Sequence, residues 1–201
     1  MALVIQNTVK NSEFTLYPDF LSESESNLLF NRLTDQLQWN EENIKMYGKS
    51  IKVPRLVCWY GDTGTDYRYS GITHTALPWT RDLLEVKERI ENHTGKQFNS
   101  VLSNLYRNEN DSMGWHSDNE KELGSSPCIA SLSLGEERLF KIRHKQSGET
   151  LDTTLNNGSL LVMSGESQNN WKHCVPKTKH KKGPRINLTF RYIFSSDNKN
   201  Q

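Results

Sequence analysis

The stretch "WHSDNE" at residues 115–120 holds an imidazole and a carboxylate two positions apart, at His116 and Asp118. Side chains at this spacing on an extended chain point to the same side. A third candidate ligand is His173, in the distant segment "NNWKHCVPK". Two neutral imidazoles and one carboxylate form a facial set that suits Fe(II) and leaves coordination positions open for other ligands. The pair alone is weak support, because His-x-Asp occurs by chance in many surface turns.

The last apolar run, "RINLTFRYIF", supplies a second observation. Its period-two alternation predicts a strand whose apolar face consists of Ile186, Leu188, Phe190, Tyr192 and Phe194. The opposite face carries a polar row, Arg185, Asn187, Thr189 and Arg191. Buried arginine is uncommon without an anion, and a guanidinium binds a carboxylate bidentately, so a dicarboxylate ligand would explain the row. Two alternatives stay open: the arginines pair with structural acids such as Asp118, or they lie on an exposed sheet face.

Two stretches in the first half of the chain have helical periodicity. In "LSESESNLLFNRLTDQLQW", Ser22 and Glu25 form a capping-box pattern ahead of leucines that recur on one face. In "WTRDLLEVKERIENHTG", Thr80 is the candidate N-cap and Gly95 the stop signal. We therefore expect two amphipathic helices before residue 96.

From Gln97 onward the apolar period changes to two. The runs "FNSVLSNLYR", "PCIASLSLG", "RLFKIRHK" and "GSLLVM" predict short strands, separated by clusters of Gly, Asn, Ser and Asp. Several strands without intervening helices favour an antiparallel sandwich or barrel. The predicted fold class is α+β and β-rich, with the helices in the first half.

Composition sets the broad class of the protein. A length of 201 residues fits one domain with a substantial core, and the net charge of +1 by itself names no partner. The scattered, odd-numbered cysteines, Cys58, Cys128 and Cys174, indicate reduced thiols. No apolar run is long enough for a membrane span, and the opening segment is too polar for a signal peptide. We expect a soluble monomer in the cytoplasm, or in the nucleus of a eukaryote.

A series of motifs follows in order along most of the chain. It consists of "PRLVCWYGD", "YRYSGI", "NLYRNENDSMGWHSDNEKELG", "IASLSLG", "GSLLVM", "WKHCVPKT" and "PRINLTFR". From about Pro54 to Arg191 the series resembles the AlkB family of Fe(II)/2-oxoglutarate-dependent dioxygenases. The first two motifs resemble the nucleic-acid alkylation-repair branch of that family. An ordered series is far more specific than one His-x-Asp pair.

The resemblance implies a double-stranded β-helix, or jelly roll, with the N-terminal helices packed on one sheet. One dioxygenase domain would span residues 1–201, with the helices and a nucleotide-recognition lid in 1–96 and the catalytic core in 97–194. The implied cofactor is Fe(II), bound by His116, Asp118 and His173, with O2 and 2-oxoglutarate as co-substrates. The implied residues for 2-oxoglutarate are Asn104, Tyr106, Arg185, Asn187 and Arg191. Arg185 would bind the far carboxylate with help from Tyr106, and Arg191 would also belong to the catalytic set.

The resemblance also implies the reaction, which is oxidative demethylation of N1-methyladenine and N3-methylcytosine in alkylated DNA. The products are the repaired base, formaldehyde, succinate and CO2. A base in a duplex must be flipped out to reach such a site. The implied contacts to the nucleic acid are Tyr67, Tyr69, Glu120, Arg55, Arg138, and Lys181 and Lys182 of the basic run "PKTKHKKGPR". Without the resemblance, the tyrosines read as half-buried strand residues and the lysines as a solvated charge run.

Other functions stay open beside this one. The same oxidation can act on RNA or on protein side chains, and a non-catalytic nucleic-acid-binding module can keep the fold. A zinc hydrolase can use two histidines and an aspartate, but it leaves the arginine row unexplained. The chain also departs from the family at Asn119, where many relatives have a second acid, and in "GEERLF", which is unusually acidic. These departures bear on substrate preference, since no implied metal or 2-oxoglutarate ligand is missing.

The segment Met46-Tyr47-Gly48 matches the place where the duplex-repair branch has an apolar hairpin tip that wedges into the base stack. An ordinary turn with an exposed tyrosine is an equal alternative. If Tyr47 fills the gap left by a flipped base, Tyr47→Ala should lower demethylation of duplex substrates more than that of single strands of the same sequence. Equal loss on the two substrates would argue against the wedge.

Overall fold

The computed structural model describes residues 2–5, 12–46, 49–65, 67–69 and 72–194. The helices are α1 (Glu23–Gln36), α2 (Arg81–Thr94) and the short α3 (Ser167–Asn170). The strands are β1 (Leu3–Val4), β2 (Ser12–Tyr17), β3 (Asn40–Met46), β4 (Lys49–Gly61), β5 (Tyr67–Tyr69), β6 (Ile72–His74), β7 (Ser100–Tyr106), β8 (Met113–His116), β9 (Ile129–Gly135), β10 (Arg138–His144), β11 (Thr150–Leu155), β12 (Leu160–Gly165), β13 (Trp171–Val175) and β14 (Arg185–Arg191). Tyr47 lies outside the described residues.

The two predicted helices begin and end at the predicted signals. The Ser22 hydroxyl accepts from the Glu25 amide at 3.3 Å, and the Glu25 carboxylate accepts from the Ser22 amide at 2.8 Å, so the capping box is confirmed. The Thr80 hydroxyl accepts from the Leu83 amide at 3.3 Å. Helix α2 ends at Gly95, whose φ of 66° is left-handed.

Two antiparallel sheets form the body of the protein. The large sheet has the order β1-β2-β12-β9-β14-β7-β4-β3, and the small sheet has the order β11-β10-β13-β8. Strands β5 and β6 form a separate hairpin. Strand β14 lies in the middle of the large sheet, hydrogen-bonded to β7 on one side and β9 on the other. The arginine row therefore lies on a central strand, and the alternative of an exposed sheet face is excluded.

Each face of the large sheet packs against a different partner. Helices α1 and α2 cover one face, and the fully buried residues there include Leu33, Leu83, Ile90, Val101, Leu132 and Leu188. Each such side chain contributes about 1.5–3 kcal/mol through burial. The other face packs on the small sheet through a second apolar cluster that includes Phe14, Trp59, Phe140, Ile142 and Trp171. The predicted α+β, β-rich class is thus confirmed as two antiparallel sheets with helices on one outer face.

The apolar face predicted for the last strand is only partly correct. Ile186, Leu188 and Phe190 are fully buried, but Tyr192 and Phe194 are 41% and 57% exposed. Strand β14 ends at Arg191, so the alternation no longer applies to the two aromatic residues. The three cysteines are free, as predicted. Among the described residues, no helix is both long and apolar enough to cross a bilayer.

Gly135 is the last residue of β9 and pairs with Arg185, the first residue of β14. Its φ is 83°, and an added Cβ would lie 2.6 Å from the Pro184 carbonyl oxygen and 2.8 Å from the Phe30 ring. Gly64 has a similar φ of 86° but open space around it. We expect Gly64→Ala to lower the free energy of unfolding by about 1–2 kcal/mol, the cost of the left-handed conformation.

For Gly135→Ala we expect the free energy of unfolding to fall by about 1–3 kcal/mol more than for Gly64→Ala. The added methyl group would overlap the Pro184 carbonyl oxygen and the Phe30 ring. Urea unfolding of both variants measures the difference. Equal losses would mean that the neighbours of Gly135 yield freely.

Candidate active site

The three predicted metal ligands come together between the two sheets. Strands β8 and β13 are paired with His116 opposite His173, and the centroids of the two imidazole rings are 4.2 Å apart. The Asp118 carboxylate follows β8, with Oδ1 3.8 Å from Nε2 of His116. The three side chains offer ligand atoms that all lie within 4.8 Å of one another. This spacing and donor set fit one Fe(II) ion.

The protonation of these groups also suits metal binding. Burial lowers the pKa of His173 to about 3 and lowers the pKa of His116 as well. Burial opposes ionisation of Asp118, but the Arg191 guanidinium and the two imidazoles outweigh it and bring its pKa to about 2. The Gly114 carbonyl lies 2.9 Å from Nδ1 of His116; it can only accept, so Nδ1 carries the proton and Nε2 stays free. At neutral pH the set is two neutral imidazoles and a carboxylate, the forms that bind metals.

Arg191 lies against the candidate metal site. Its Nη2 donates to Asp118 Oδ1 at 2.9 Å, and both side chains are almost completely buried. The pairing of an arginine with Asp118, which the sequence left open as an alternative, is therefore present at Arg191. Its predicted contact with 2-oxoglutarate stays a prediction.

Arg185 lies at the other end of the same cavity. It is 1% exposed, and its Nη2 donates to the Ser133 hydroxyl at 2.9 Å. Its Nε and Nη1 have no hydrogen-bond acceptor among the described residues. Burial lowers the pKa of Arg185 to about 10, opposed by the neighbouring Tyr106 phenol. A buried cation with two open N–H donors fits the carboxylate of a bound ligand.

The remaining predicted 2-oxoglutarate residues lie beside Arg185 on the same sheet. Tyr106 pairs with Arg185 across β7 and β14, and Asn104 pairs with Asn187 in the same way. All four side chains line the cavity that also contains the three metal ligands. The Asn187 amide is oriented by its neighbours: it donates to the Ser131 hydroxyl at 2.8 Å and accepts from Thr189 at 3.0 Å.

Two arginines expected at the nucleic acid are instead buried. Arg55 is 5% exposed, and its Nε donates to Asn104 Oδ1 at 2.6 Å. Arg138 is 1% exposed and donates to three backbone carbonyls. Neither guanidinium faces solvent, because the acceptors for both lie inside the protein. The alternation and the motif position did not predict this burial, because burial depends on which segment packs against the side chain.

Lys182 is also engaged within the protein. Its ammonium lies 2.9 Å from a Glu136 carboxylate oxygen and 3.2 Å from Glu137, the two acids of "GEERLF". Lys181 is exposed, as are Lys177 and Lys179. The basic run is therefore divided into an ion-paired lysine and three solvated ones.

The other predicted contacts are less completely described. The backbones of Tyr67 and Tyr69 belong to the β5–β6 hairpin, while their side chains lie outside the described residues. Glu120 is half-buried, and its Oε2 has no hydrogen-bond partner within the described part of the chain. The free acceptor of Glu120 keeps it available for a ligand donor.

Sequence reasoning missed an aromatic and a cation next to the metal ligands. Trp115 is 41% exposed on the outer face of the small sheet, and the Arg143 guanidinium carbon lies 5.0 Å from its ring centroid. Alternation was the available signal, because Trp115 precedes the inward-facing His116 and so points outward. Proteins that bind single-stranded nucleic acid use exposed aromatic side chains and arginine to stack on bases, so this pair is a candidate contact.

The candidate ligands have different structural roles, which gives a mutational prediction. His116→Ala should abolish high-affinity Mn(II) binding and leave the fold and its unfolding midpoint nearly unchanged. Asp118→Ala should also abolish binding, but it leaves the Arg191 charge buried without its acid and should lower the free energy of unfolding by about 3–5 kcal/mol.

Calorimetric Mn(II) titration and urea unfolding measure both effects. His180→Ala is the control, because this exposed histidine lies outside the cavity. Retained Mn(II) affinity in His116→Ala would show that the ligand set is wrong.

Comparison with known proteins agrees with this arrangement. Residues 13–191 match the profile of the 2OG-Fe(II) oxygenase superfamily. The chain is 42% identical over 193 residues to the alpha-ketoglutarate-dependent dioxygenase alkB homolog 3 of Homo sapiens, covering 91% of this chain and 67% of that protein. It is 36% identical over 194 residues to the DNA oxidative demethylase ALKBH2 of Bos taurus, covering 91% and 69%. The chain thus spans about two thirds of the length of these relatives.

A solved structure, "The structure of OsALKBH1", superposes with a TM-score of 0.65 at 16% identity. The superposition covers 92% of this chain and 100% of the other, so the two share a fold. The superfamily match spans residues 13–191, and the alignment to the first relative covers 91% of the chain. The chain therefore belongs to the AlkB family of the 2OG-Fe(II) oxygenases and is a dioxygenase that uses Fe(II), 2-oxoglutarate and O2.

Proposed function

We propose that this dioxygenase removes N-methyl groups from N1-methyladenine and N3-methylcytosine in DNA by direct reversal. The observation that carries the proposal is that one cavity contains both the three metal ligands and the buried Arg185. The Nε and Nη1 atoms of Arg185 have no acceptor among the described residues. Relatives named as DNA oxidative demethylases support the substrate class. We also propose that the two facing sheets are the jelly roll implied by the resemblance.

In this proposal His116, Asp118 and His173 hold the iron. When bound, the iron supplies, with O2 and 2-oxoglutarate, the oxidation of the N-methyl C–H bond, and the products are succinate, CO2, formaldehyde and the repaired base. Arg191 keeps Asp118 ionised by its ion pair at 2.9 Å. The ligand carboxylate thus needs no proton release before binding.

Arg185 and Tyr106 bind the far carboxylate of 2-oxoglutarate. Arg185 donates through its free Nε and Nη1, while Ser133 holds Nη2 and so fixes the direction of the guanidinium. The Arg185 guanidinium carbon lies 5.1 Å from the Tyr106 ring centroid, which keeps the two groups side by side. Loss of Arg185 would therefore weaken binding of 2-oxoglutarate more than binding of the metal.

The apolar lining of the cavity protects the reaction from water. Phe140 stacks on the His173 ring, with centroids 5.3 Å apart and ring planes at 28°. Leu102, Met113 and Met163 line the same cavity. A dry, preformed pocket limits side reactions of the oxidant.

The nucleic acid approaches from the side of the small sheet and the loop after β13. Lys177, Lys179 and Lys181 are exposed in that loop and supply phosphate contacts without sequence choice. Trp115 and Arg143 offer a stacking surface beside the ligand strand. Tyr67, Tyr69 and Glu120 remain the proposed contacts to the flipped base.

The test is a demethylation assay with Fe(II), 2-oxoglutarate and a DNA oligonucleotide that carries N1-methyladenine or N3-methylcytosine. Mass spectrometry follows the loss of the methyl group, and succinate is measured in parallel. We expect repaired base and succinate in equal amounts, with none from His116→Ala. An RNA strand of the same sequence tests the alternative nucleic acid.

Each contrary outcome has a distinct meaning. Formation of succinate without repair of either strand would indicate that the enzyme oxidises another substrate, such as a protein side chain. Repair of RNA but not DNA would replace the proposed substrate. Binding of the oligonucleotide with neither product would indicate a non-catalytic module.

A further inference from the structure

Arg138 is a buried cation whose hydrogen bonds all go to backbone carbonyls. It begins strand β10 and is 1% exposed. Its guanidinium donates to the carbonyl oxygens of Asn108 at 3.2 Å, Asp111 at 2.8 Å and Pro176 at 2.8 Å. No ion pair of Arg138 occurs within the described residues. The carboxylates of Asp111, Glu109 and Glu136 act on its charge only from beyond ion-pair distance, which is an uncommon setting for a buried guanidinium.

The three carbonyls belong to the two segments that frame the active site. Asn108 and Asp111 lie in the loop from β7, which ends at Tyr106, to β8, which carries His116. Pro176 follows directly after β13, which carries His173. One side chain therefore ties together the ends of both histidine strands. Its planar, forked donors reach acceptors that lie apart, whereas the three donors of an ammonium all radiate from one nitrogen.

Arg138 also contacts the proposed co-substrate residue directly. Its guanidinium carbon lies 5.5 Å from the Tyr106 ring centroid, and that of Arg185 lies 5.1 Å from the same ring. Tyr106 is 2% exposed, so neither cation–π contact is weakened by solvent. The phenol lies between two guanidiniums: Nε and Nη1 of Arg185 lack acceptors among the described residues, whereas both terminal nitrogens of Arg138 donate to backbone carbonyls.

We propose that Arg138 is a positioning residue for 2-oxoglutarate, which fixes the Tyr106 ring beside Arg185 and clamps the loops at the carboxylate end of the cavity. The inference rests on the proposed assignment of Tyr106 and Arg185 to the co-substrate. Arg138 is not among the residues that line the cavity, and it acts on the co-substrate through Tyr106, which does line it. At 1% exposure, Arg138 is buried where the resemblance implied a residue near the nucleic acid.

The experiment measures the Kd of 2-oxoglutarate by calorimetry on the Mn(II)-loaded protein under anaerobic conditions, with no nucleic acid present. The variants are Arg138→Met, Arg138→Lys, Tyr106→Leu, Arg185→Met and the double variant Arg138→Met/Tyr106→Leu. Lys141→Met is the matched control: it lies on the same strand, points outward and pairs with Asp152 at 3.1 Å. Unfolding midpoints verify that each variant is folded at the assay temperature.

We expect Arg138→Met to raise the Kd of 2-oxoglutarate about 10- to 100-fold, by analogy with the loss of a residue that orients a metal ligand. Arg138→Lys keeps the charge but cannot span three carbonyls, so it should still raise the Kd at least about threefold. In the Tyr106→Leu background, Arg138→Met should have little further effect, because its target is gone. Lys141→Met should match the native chain.

Three results would overturn the inference: an unchanged Kd in Arg138→Met, native affinity in Arg138→Lys, or the same fold-change from Arg138→Met with and without Tyr106. The last result would mark Arg138 as merely structural. If Arg138→Met does not fold, Arg138→Lys replaces it in the same cycle. Unchanged Kd in both Tyr106→Leu and Arg185→Met would instead refute the proposed co-substrate site itself.

Discussion

The buried ion pair between Asp118 and Arg191 is the interaction on which the site depends. Each charge would be costly between the sheets if alone, and removal of one partner costs about 3–5 kcal/mol. Arg191 lies on β14, the central strand of the large sheet, whereas Asp118 follows β8 at the edge of the small sheet. His116 and His173 both belong to the small sheet. All three metal ligands therefore come from the small sheet and the residues just after β8, and the large sheet supplies the Arg191 charge that pairs with Asp118.

The interior between the sheets is apolar at one end and polar at the other. Phe14 and Trp171 pack edge to face at 5.7 Å in the apolar part. The polar part contains Arg185, with two donors open, and Asn187, whose amide is occupied by neighbours. Buried open donors cost free energy until a ligand satisfies them. The protein thus carries a local free-energy cost at the place proposed for the co-substrate carboxylate.

Charge in the basic run after β13 is balanced more locally than its composition suggests. Glu136 and Glu137 neutralise Lys182, so the loop after β13 presents fewer free cations than its composition implies. The same acids mark a departure of this chain from the usual family pattern. Attraction of phosphate then depends on the solvated lysines, whose effect is screened by salt.

The sequence by itself determined the local features: the helix caps at Ser22 and Thr80, the alternation of β14 and the His-x-Asp pair. These depend on contacts between residues close in the chain, which is why a pattern reveals them. Only the tertiary structure decided that Arg55 and Arg138 point inward, that Arg191 pairs with Asp118, and that Tyr192 and Phe194 lie beyond the strand. Burial and pairing depend on which segment packs opposite, and a one-dimensional pattern does not contain that partner.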